Sequence, residues 1–368
     1  MKFRSEKVVH ITAYYPPHLG GMENCVQKIA RELVKKKYLV DVFTSDQGCN
    51  NAKKNKEKNL TVKYLKSIEI AHTPIIFSLF FELLRVPKNS IMHVHISQAL
   101  TPEIVYLVSR IRKIPYISHM HLDVDASGSF GFLLKPYKKL FLKKVLQNSS
   151  RVICLTKNQK QIITKKYNLK KEKVIVVPNS VGEEYFIKRE IYKKQQVRIL
   201  FVGRMATQKN IPLLLKSIAL VKSNVAVDIV GDGQEMEKLQ LLAKRLDLRT
   251  THFHGQKTGE DLINFYKNAD IFLITSTTEG MSLAILEAMA AGLPIVMPKL
   301  DAVKELLTDS AILVSNTKPA NIAKEIDKLV SDIALQKELS KKVQYKAKAY
   351  TWDAIASNLE NIYQNLHT

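Results

Sequence analysis

Ala269-Asp-Ile-Phe-Leu-Ile274, followed by Ser276-Thr-Thr-Glu-Gly-Met-Ser-Leu-Ala-Ile-Leu-Glu-Ala-Met-Ala-Ala-Gly-Leu-Pro294, is the stretch that decides how the chain is read. An apolar strand enters a Thr/Ser/Gly loop, and the loop enters a helix closed by Gly292 and Pro294. Ser282, Leu283, Ala284, Ala288, Ala290 and Ala291 give that helix small side chains, suited to close packing on a sheet. Such a junction leaves the first helical N–H groups unpaired and partially positive, a geometry that suits a phosphate. Glu279 lies in the loop, and Glu287 is expected about two turns into the helix. Glutamate is a good helix former, so the pair alone fits a solvated helix as well as a ligand site. The small-residue surroundings favour the site. Two carboxylates flanking a phosphate position match hydroxyls at the two ends of a sugar nucleotide.

Working outward, apolar strands alternate with amphipathic helices. Strands are expected at Val8–Ala13, Leu39–Thr44, Ile91–Ile96, Tyr116–Met120, Val152–Leu155 and Val174–Val177, with helices at Glu23–Lys36 and Pro102–Ile111. A charged stretch, Lys188–Gln196, reads as a linker. The rhythm then restarts with strand Arg198–Val202, helix Ile211–Val221, strand Ala226–Val230 and helix Glu235–Arg245. Further strands follow at His252–His254, Ile271–Thr275, Ile295–Met297 and Ile312–Val314. This βαβ order predicts an α/β protein of two Rossmann-like, doubly wound halves, with ligand at the strand C-terminal ends in the cleft between them. A chain of 368 residues fits two domains.

The formal charge of +23 is high and uneven. Residues 1–190 carry 34 Lys/Arg against 15 Asp/Glu, whereas residues 191–368 carry 23 against 19. A Lys-rich composition coating every solvated face would spread the excess evenly. The basic surface belongs to the N-terminal half, where an anionic membrane, nucleic acid or an acidic substrate are the partners it suits. Cys25, Cys49 and Cys154 show no CxxC or Cys/His spacing and no disulfide framework, which fits a reducing cytoplasm. No run reaches the roughly 18–20 apolar residues needed to span a bilayer, and Val8–Ala13 is too short for a signal peptide.

Several short motifs stand where strands meet helices. Gly20-Gly21 would let a ligand approach the backbone at a helix N-terminus, and would equally make a turn after Pro16-Pro17. It is not GxGxxG, so a nicotinamide cofactor is not expected. Arg204 and Lys209, in Phe201-Val-Gly-Arg-Met-Ala-Thr-Gln-Lys-Asn210, leave a strand end where a guanidinium fork and an ammonium can neutralise a diphosphate. Gly231 and Gly233 end the next strand, where they would admit a nucleoside. His119 and His121 alternate off a strand end and face one side, as active-site groups or as ordinary edge histidines. Asp123 and Asp125 form a DxD, a pattern common by chance, and no metal is expected on it. The Leu/Phe/Lys pattern of Gly131–Leu146 is that of a basic amphipathic helix, on a bilayer or on its own domain.

With Gly20-Gly21, Arg204, Lys209 and Glu279-x7-Glu287 in this order, the chain resembles the family-4 retaining glycosyltransferases of GT-B fold (glycosyl transferases group 1) over nearly its whole length. The resemblance implies an acceptor-binding domain over 1–188, to which a last helix at 352–368 crosses back, and a sugar-nucleotide-binding domain over 189–351. It implies that Arg204 and Lys209 hold the diphosphate and stabilise the leaving group. Glu279 and the amides of Met281, Ser282 and Leu283 would meet the donor sugar and phosphate. Glu287 would hold the ribose, Gly21 would approach the diphosphate, and His121 would lie near the transferred sugar. Gly182, where an acidic residue is common, and the Asp123–Phe132 loop depart from the pattern and leave the acceptor open.

Function is accordingly expected to be metal-independent, retaining transfer of a hexose-type sugar from a UDP- or GDP-sugar, with no further cofactor. The acceptor is expected to be a hydroxyl of a lipid, lipid-linked glycan or polysaccharide. A cytoplasmic protein is expected from the cysteines, and a peripheral place at the inner face of the plasma membrane is expected from the basic half. A non-catalytic partner of the same fold, or a basic nucleic-acid binder, is the competing expectation; no nucleic-acid module is recognised.

Overall fold

The computed structural model describes residues 7–18, 20–49, 54–70, 73–96, 99–121 and 136–366. Asp123, Asp125 and the 123–132 loop fall outside the described residues. The chain divides into two units, residues 1–179 with 352–368, and residues 180–351.

In the first unit the strands are β1 (Lys7–Ile11), β2 (Leu39–Ser45), β3 (Lys54–Glu57), β4 (Leu60–Leu65), β5 (Ser67–Ile70), β6 (Thr73–Ile76), β7 (Ser90–Ile96), β8 (Tyr116–Met120), β9 (Arg151–Cys154) and β10 (Val174–Val176). The helices are α1 (Gly21–Lys35), α2 (Leu79–Leu84), α3 (Thr101–Arg112), α4 (Lys143–Asn148) and α5 (Lys157–Tyr167). Among the described residues eight strands form one sheet in the order β10-β9-β8-β7-β1-β2-β4-β3. All pairings are parallel except that of β3 with β4. β5 and β6 form a separate antiparallel pair. These short antiparallel strands were not expected, because Lys54-Asn-Lys-Glu57 has no apolar alternation to signal a strand.

The two faces of the large sheet differ in chemistry. One carries Val9, Ile11, Met92, Val94, Ile96 and Met120 into an apolar core shared with α2, α3, α4 and α5. The other carries His10, His93, His95 and His119, all buried, and half-buried His121. β8 lies between β7 and β9, so His119 is an interior residue and not an edge one. The segment Lys138–Leu142 is a π-helical turn continued by α4; Leu142, Val145 and Leu146 pack into the apolar core, while Leu140 and Phe141 are exposed. The described part of the basic segment is therefore a helix packed on its own domain with two apolar side chains turned outward.

The second unit contains β11 (Val197–Val202), α6 (Ile211–Ile218), β12 (Val225–Val230), α7 (Met236–Arg245), β13 (Thr251–Phe253), α8 (Gly259–Asn268), β14 (Ile271–Leu273), α9 (Leu283–Ala290), β15 (Ile295–Pro298), α10 (Asp301–Leu307), β16 (Ile312–Val314), α11 (Pro319–Ser331) and α12 (Ile333–Ala347). Its sheet is wholly parallel, in the order β13-β12-β11-β14-β15-β16. Strand order thus runs one way from β11 and the other way from β14, which opens a crevice at their C-terminal ends.

The last helix, α13 (Trp352–Gln364), belongs to the first unit. It buries Trp352, Ile355, Leu359, Ile362 and Tyr363 and packs along α1. The chain joins the second unit earlier than the expected boundary after 188. Val181 N–H donates to Tyr350 C=O at 2.9 Å, pairing the entering and leaving segments. The Arg189 guanidinium donates to the carbonyls of Ala291 (2.9 Å), Tyr266 (2.6 Å) and Ala269. Lys194 pairs with Asp270 at 2.6 Å. What reads as a charged linker is bound to the second unit by its charges. No helix among the described residues is long and apolar enough to cross a membrane.

Burial lowers the pKa of all five clustered histidines, His10 to about 3 and His121 to about 4, so the rings are neutral when folded. The unfolded chain protonates them near 6.5, so their contribution is intact above that pH and is lost as pH falls towards the folded values. Stability contributed by the neutral rings therefore declines with each pH unit below 6.5 until the folded values are reached. The fluorescence of Trp352, the single tryptophan, reports the first unit. Its urea midpoint is expected to fall steeply between pH 7 and pH 5; a midpoint flat over that range would contradict neutral burial of the rings.

Candidate active site at the strand-order reversal

The loops after β11 and β14 are stitched together. Thr277 N–H donates to Gln208 C=O at 2.9 Å, and Gln208 Nε2 donates to Thr278 C=O at 2.9 Å. Thr275 Oγ1 donates to the carbonyls of Lys209 (3.2 Å) and Asn210 (3.0 Å). This clamp brings the Lys209 ammonium to 2.6 Å from Glu279 Oε1, and Ser276 Oγ donates to the same oxygen at 2.6 Å. The Glu279 side chain is 4% exposed and that of Lys209 19%, so the pair is shielded but reachable. A buried carboxylate without its cation would be costly, which ties the two loops together electrostatically.

Ser282 stands at the N-cap of α9 with extended backbone, and its carbonyl accepts from Leu286 N–H. The first amides of α9 follow directly after Met281, which is buried. Gly292 closes α9 with φ +65°, its N–H donating to Met289 C=O, while Leu293 N–H donates to Ala288 C=O. Glu287 is therefore the fifth helical residue, little more than one turn in, and not two, because the helix begins at Leu283. Tyr266 Oη donates to Glu287 Oε2 at 2.7 Å, and Tyr185 also hydrogen-bonds this carboxylate. The two tyrosine rings meet edge to face at 5.5 Å. Burial, and secondarily the Glu287 charge, push both phenol pKa values up, so both remain donors. A carboxylate accepts about four hydrogen bonds, leaving room for further hydroxyls beside these two.

Arg204 is exposed in the loop that follows β11. The glycines after β12 have a different cause from the one expected. A Cβ on Gly231 (φ +137°) would fall 1.9 Å from Gly203 O, and one on Gly233 (φ +152°) 2.5 Å from Met205 O. Met205 N–H donates to Asp232 C=O at 2.8 Å across this contact. Close backbone approach between the loops after β11 and β12 requires glycine there, whatever binds beside them. In the first unit, a Cβ on Gly20 would fall 2.2 Å from Glu23 Oε2. The buried Glu23 carboxylate occupies that space at the start of α1, where Gly21 is the first helical residue.

The second unit thus assembles Lys209, Glu279 and the α9 N-terminus in one crevice, with Arg204 and Gly231 on its neighbouring loops and Glu287 further along α9. Gly20, Gly21 and His121 lie in the first unit. Sequence reasoning missed Tyr185, Tyr266 and Ser276, for which spacing offers no signal. It also missed His10, His93 and His95, although the His-x-His of 93–95 repeats that of 119–121 on a second strand.

The glycosyl transferases group 1 profile matches residues 182–349, and the Glycosyltransferase Family 4 profile matches residues 19–185. The chain belongs to this glycosyltransferase family. An uncharacterized glycosyltransferase of Methanocaldococcus jannaschii is 26% identical, over 97% of this chain and 98% of its own. The sucrose-phosphate synthase structure from Thermosynechococcus elongatus superposes with TM-score 0.81 at 18% identity, over 98% of this chain and 99% of that one. Anabaena HepE in complex with UDP and glucose superposes with TM-score 0.77 at 15% identity, over 98% and 100%. The fold of the group 1 glycosyltransferase is GT-B.

Replacing Gly231 by Ala is expected to destabilise the second unit by about 3 kcal/mol, since both φ and the 1.9 Å contact oppose a methyl group. Gly255, with open space around its Cβ, is the control: Gly255→Ala should show only the smaller cost of its φ of +65°. Thermal melts of the two variants by circular dichroism check this; equal shifts would refute the contact argument.

Proposed function

We propose that this glycosyltransferase moves a hexose-type sugar from a UDP- or GDP-sugar to a hydroxyl, with retention at the anomeric carbon and without a metal ion. The observation that carries the reading is the Lys209–Glu279 pair held beside the α9 N-terminus at the reversal of strand order. Lys209, Arg204 and the amides of Met281, Ser282 and Leu283 supply the positive field that a departing diphosphate needs. Glu279 accepts from sugar hydroxyls, and Lys209 and Ser276 hold its carboxylate in place for that task. Glu287, oriented by Tyr266 and Tyr185, takes the ribose hydroxyls. Gly20, Gly21 and Gly231 complete the donor contacts, and His121 serves the transferred sugar from the first unit. With leaving-group stabilisation of this kind, the donor phosphate can itself take the acceptor proton on the face it leaves, which gives retention without a carboxylate nucleophile.

The acceptor is a lipid, lipid-linked glycan or polysaccharide presented at an anionic membrane. Support comes from the basic N-terminal half and from Leu140 and Phe141, exposed by 64% and 56% between Lys138, Lys139, Lys143 and Lys144. Apolar side chains set among lysines are the pattern of a surface-lying membrane helix.

Nucleoside-diphosphate release across a panel of sugar nucleotides tests the donor reading. Lys209→Ala and Glu279→Gln are each expected to lower turnover about a hundred-fold or more, and EDTA should leave the wild type unaffected; loss in EDTA restored by manganese refutes metal independence. The membrane reading predicts that Leu140→Asp/Phe141→Asp weakens binding to anionic vesicles at low salt at least ten-fold while donor hydrolysis persists. Equal vesicle binding by variant and wild type would rule out this helix as the contact.

A further inference from the structure

The histidine face of the first unit is built in parallel register. His10 and His93 are partners across β1 and β7, and His95 and His119 are partners across β7 and β8. Spacing by two keeps His93 with His95, and His119 with His121, on that face. The rings stack, with centroids 4.3 Å apart for His119–His121 and 4.6 Å for His93–His95.

Their nitrogens form two hydrogen-bonded chains. His10 Nδ1 lies 2.9 Å from His95 Nε2, and His95 Nδ1 lies 2.9 Å from His121 Nε2. Tyr363 Oη lies 2.6 Å from His93 Nδ1, and His93 Nε2 lies 3.2 Å from His119 Nδ1. Besides one another, Tyr363, itself against Tyr38, is the titratable group that contacts the rings among the described residues. The triads His10/His93/His95 and His95/His119/His121 have the composition of metal sites. Using them so would require the same nitrogens as lone pairs and would break these N–H···N bonds. No carboxylate stands in either triad to offset a cation's charge.

Proton counting settles the direction of the first chain. A neutral imidazole has one N–H and one lone pair. Three rings bring three protons to two links, so one proton is left at an end. At one end is His10 Nε2, buried and without a hydrogen-bond partner among the described residues. At the other is Nδ1 of His121, the ring of the five that is only half-buried. An unpaired buried N–H is the rarer and costlier orphan, so the spare proton goes to His121. His10 then donates from Nδ1 to His95, and His95 donates from Nδ1 to His121.

We propose that His10 and His95 are positioning residues that lock His121 as the Nδ1–H tautomer, so that it offers a hydrogen-bond donor, and no basic lone pair, to an oxygen of the transferred sugar. The sugar half of this statement rests on the sugar-transfer reading above; the tautomer half stands on geometry alone. Its consequence for the reaction is that His121 does not deprotonate the acceptor. That proton passes to the leaving phosphate oxygen as the new glycosidic bond forms and the sugar–phosphate bond breaks.

Two-bond proton–nitrogen correlation spectra of the full-length protein, labelled with nitrogen-15 histidine and assigned with His95→Asn and His121→Phe, read the tautomers directly. Protonated Nδ1 on His10, His95 and His121 at pH 7.5 is expected. Protonated Nε2 on His121, or a stoichiometric metal ion in the purified protein, overturns the proposal. In kinetics, His95→Leu, which removes the N–H that holds His121 Nε2 as an acceptor, should lower kcat at least ten-fold. His95→Asn, whose amide N–H takes the place of Nδ1, should recover most of that loss. Equal rates in the two variants refute the positioning role. Correct tautomers with no turnover of any sugar nucleotide would instead overturn the sugar-transfer reading and leave the lock standing.

Discussion

Where β11 and β14 lie side by side, the chain leaves one strand in one direction and the next in the other, and the site of the second unit depends on that reversal. Two loops diverge there, and their backbones must be satisfied without a regular ladder. They bond to one another through Gln208, Thr275, Thr277 and Thr278. Lys209 and Glu279 then meet as a consequence of a clamp made mostly of main-chain groups. The adjoining loop after β12 is fastened by the approach of Gly231 to Gly203. Rigidity at this crevice therefore comes from main-chain carbonyls held by Gln208, Thr275 and the Thr277 amide, and the charged side chains inherit their positions from it.

The first unit has the same reversal, between β1 and β7, but uses it differently. Its polar face carries imidazoles where an aliphatic layer would have sufficed for packing. Neutral imidazoles pack like flat apolar rings and also impose direction through their single protons. A Tyr–His–His chain and a His–His–His chain run side by side on one sheet face, and α13 supplies the tyrosine. The cost of burying them is sensitivity to acid.

Both sheets and their βαβ order were legible because parallel strands buried on both faces read as apolar runs, such as Val225–Val230. The strand–loop–helix from Ile271 to Ala290 was legible for the same reason, together with the glycine stop at 292. The hairpin of β5 and β6 was not, since Ser67-Ile-Glu-Ile70 is mostly exposed and carries little burial pattern. Nor were the partners of Glu287. Tyr185 and Tyr266 are far apart in sequence, and each reads as an ordinary aromatic until the fold joins them. The start of the second unit lies before the expected residue 189 because Arg189 and Lys194 look solvated in sequence and are spent on carbonyls and on Asp270. His93 and His95 read as part of an apolar strand; only cross-strand register reveals that three strands bring histidines to one face.

The position of α13 bears on how the protein is made. The first unit is begun by the residues before 180 and completed by residues 352–364, which cover α1 and reach His93 through Tyr363. On the ribosome, the second unit has its entire sequence available before the first unit does, despite beginning later. During that interval the histidine-bearing sheet face lacks its last covering helix and the second histidine chain lacks its tyrosine. A nascent chain stalled before residue 352 would therefore hold all of the second unit's sequence while the first unit still lacked its last helix.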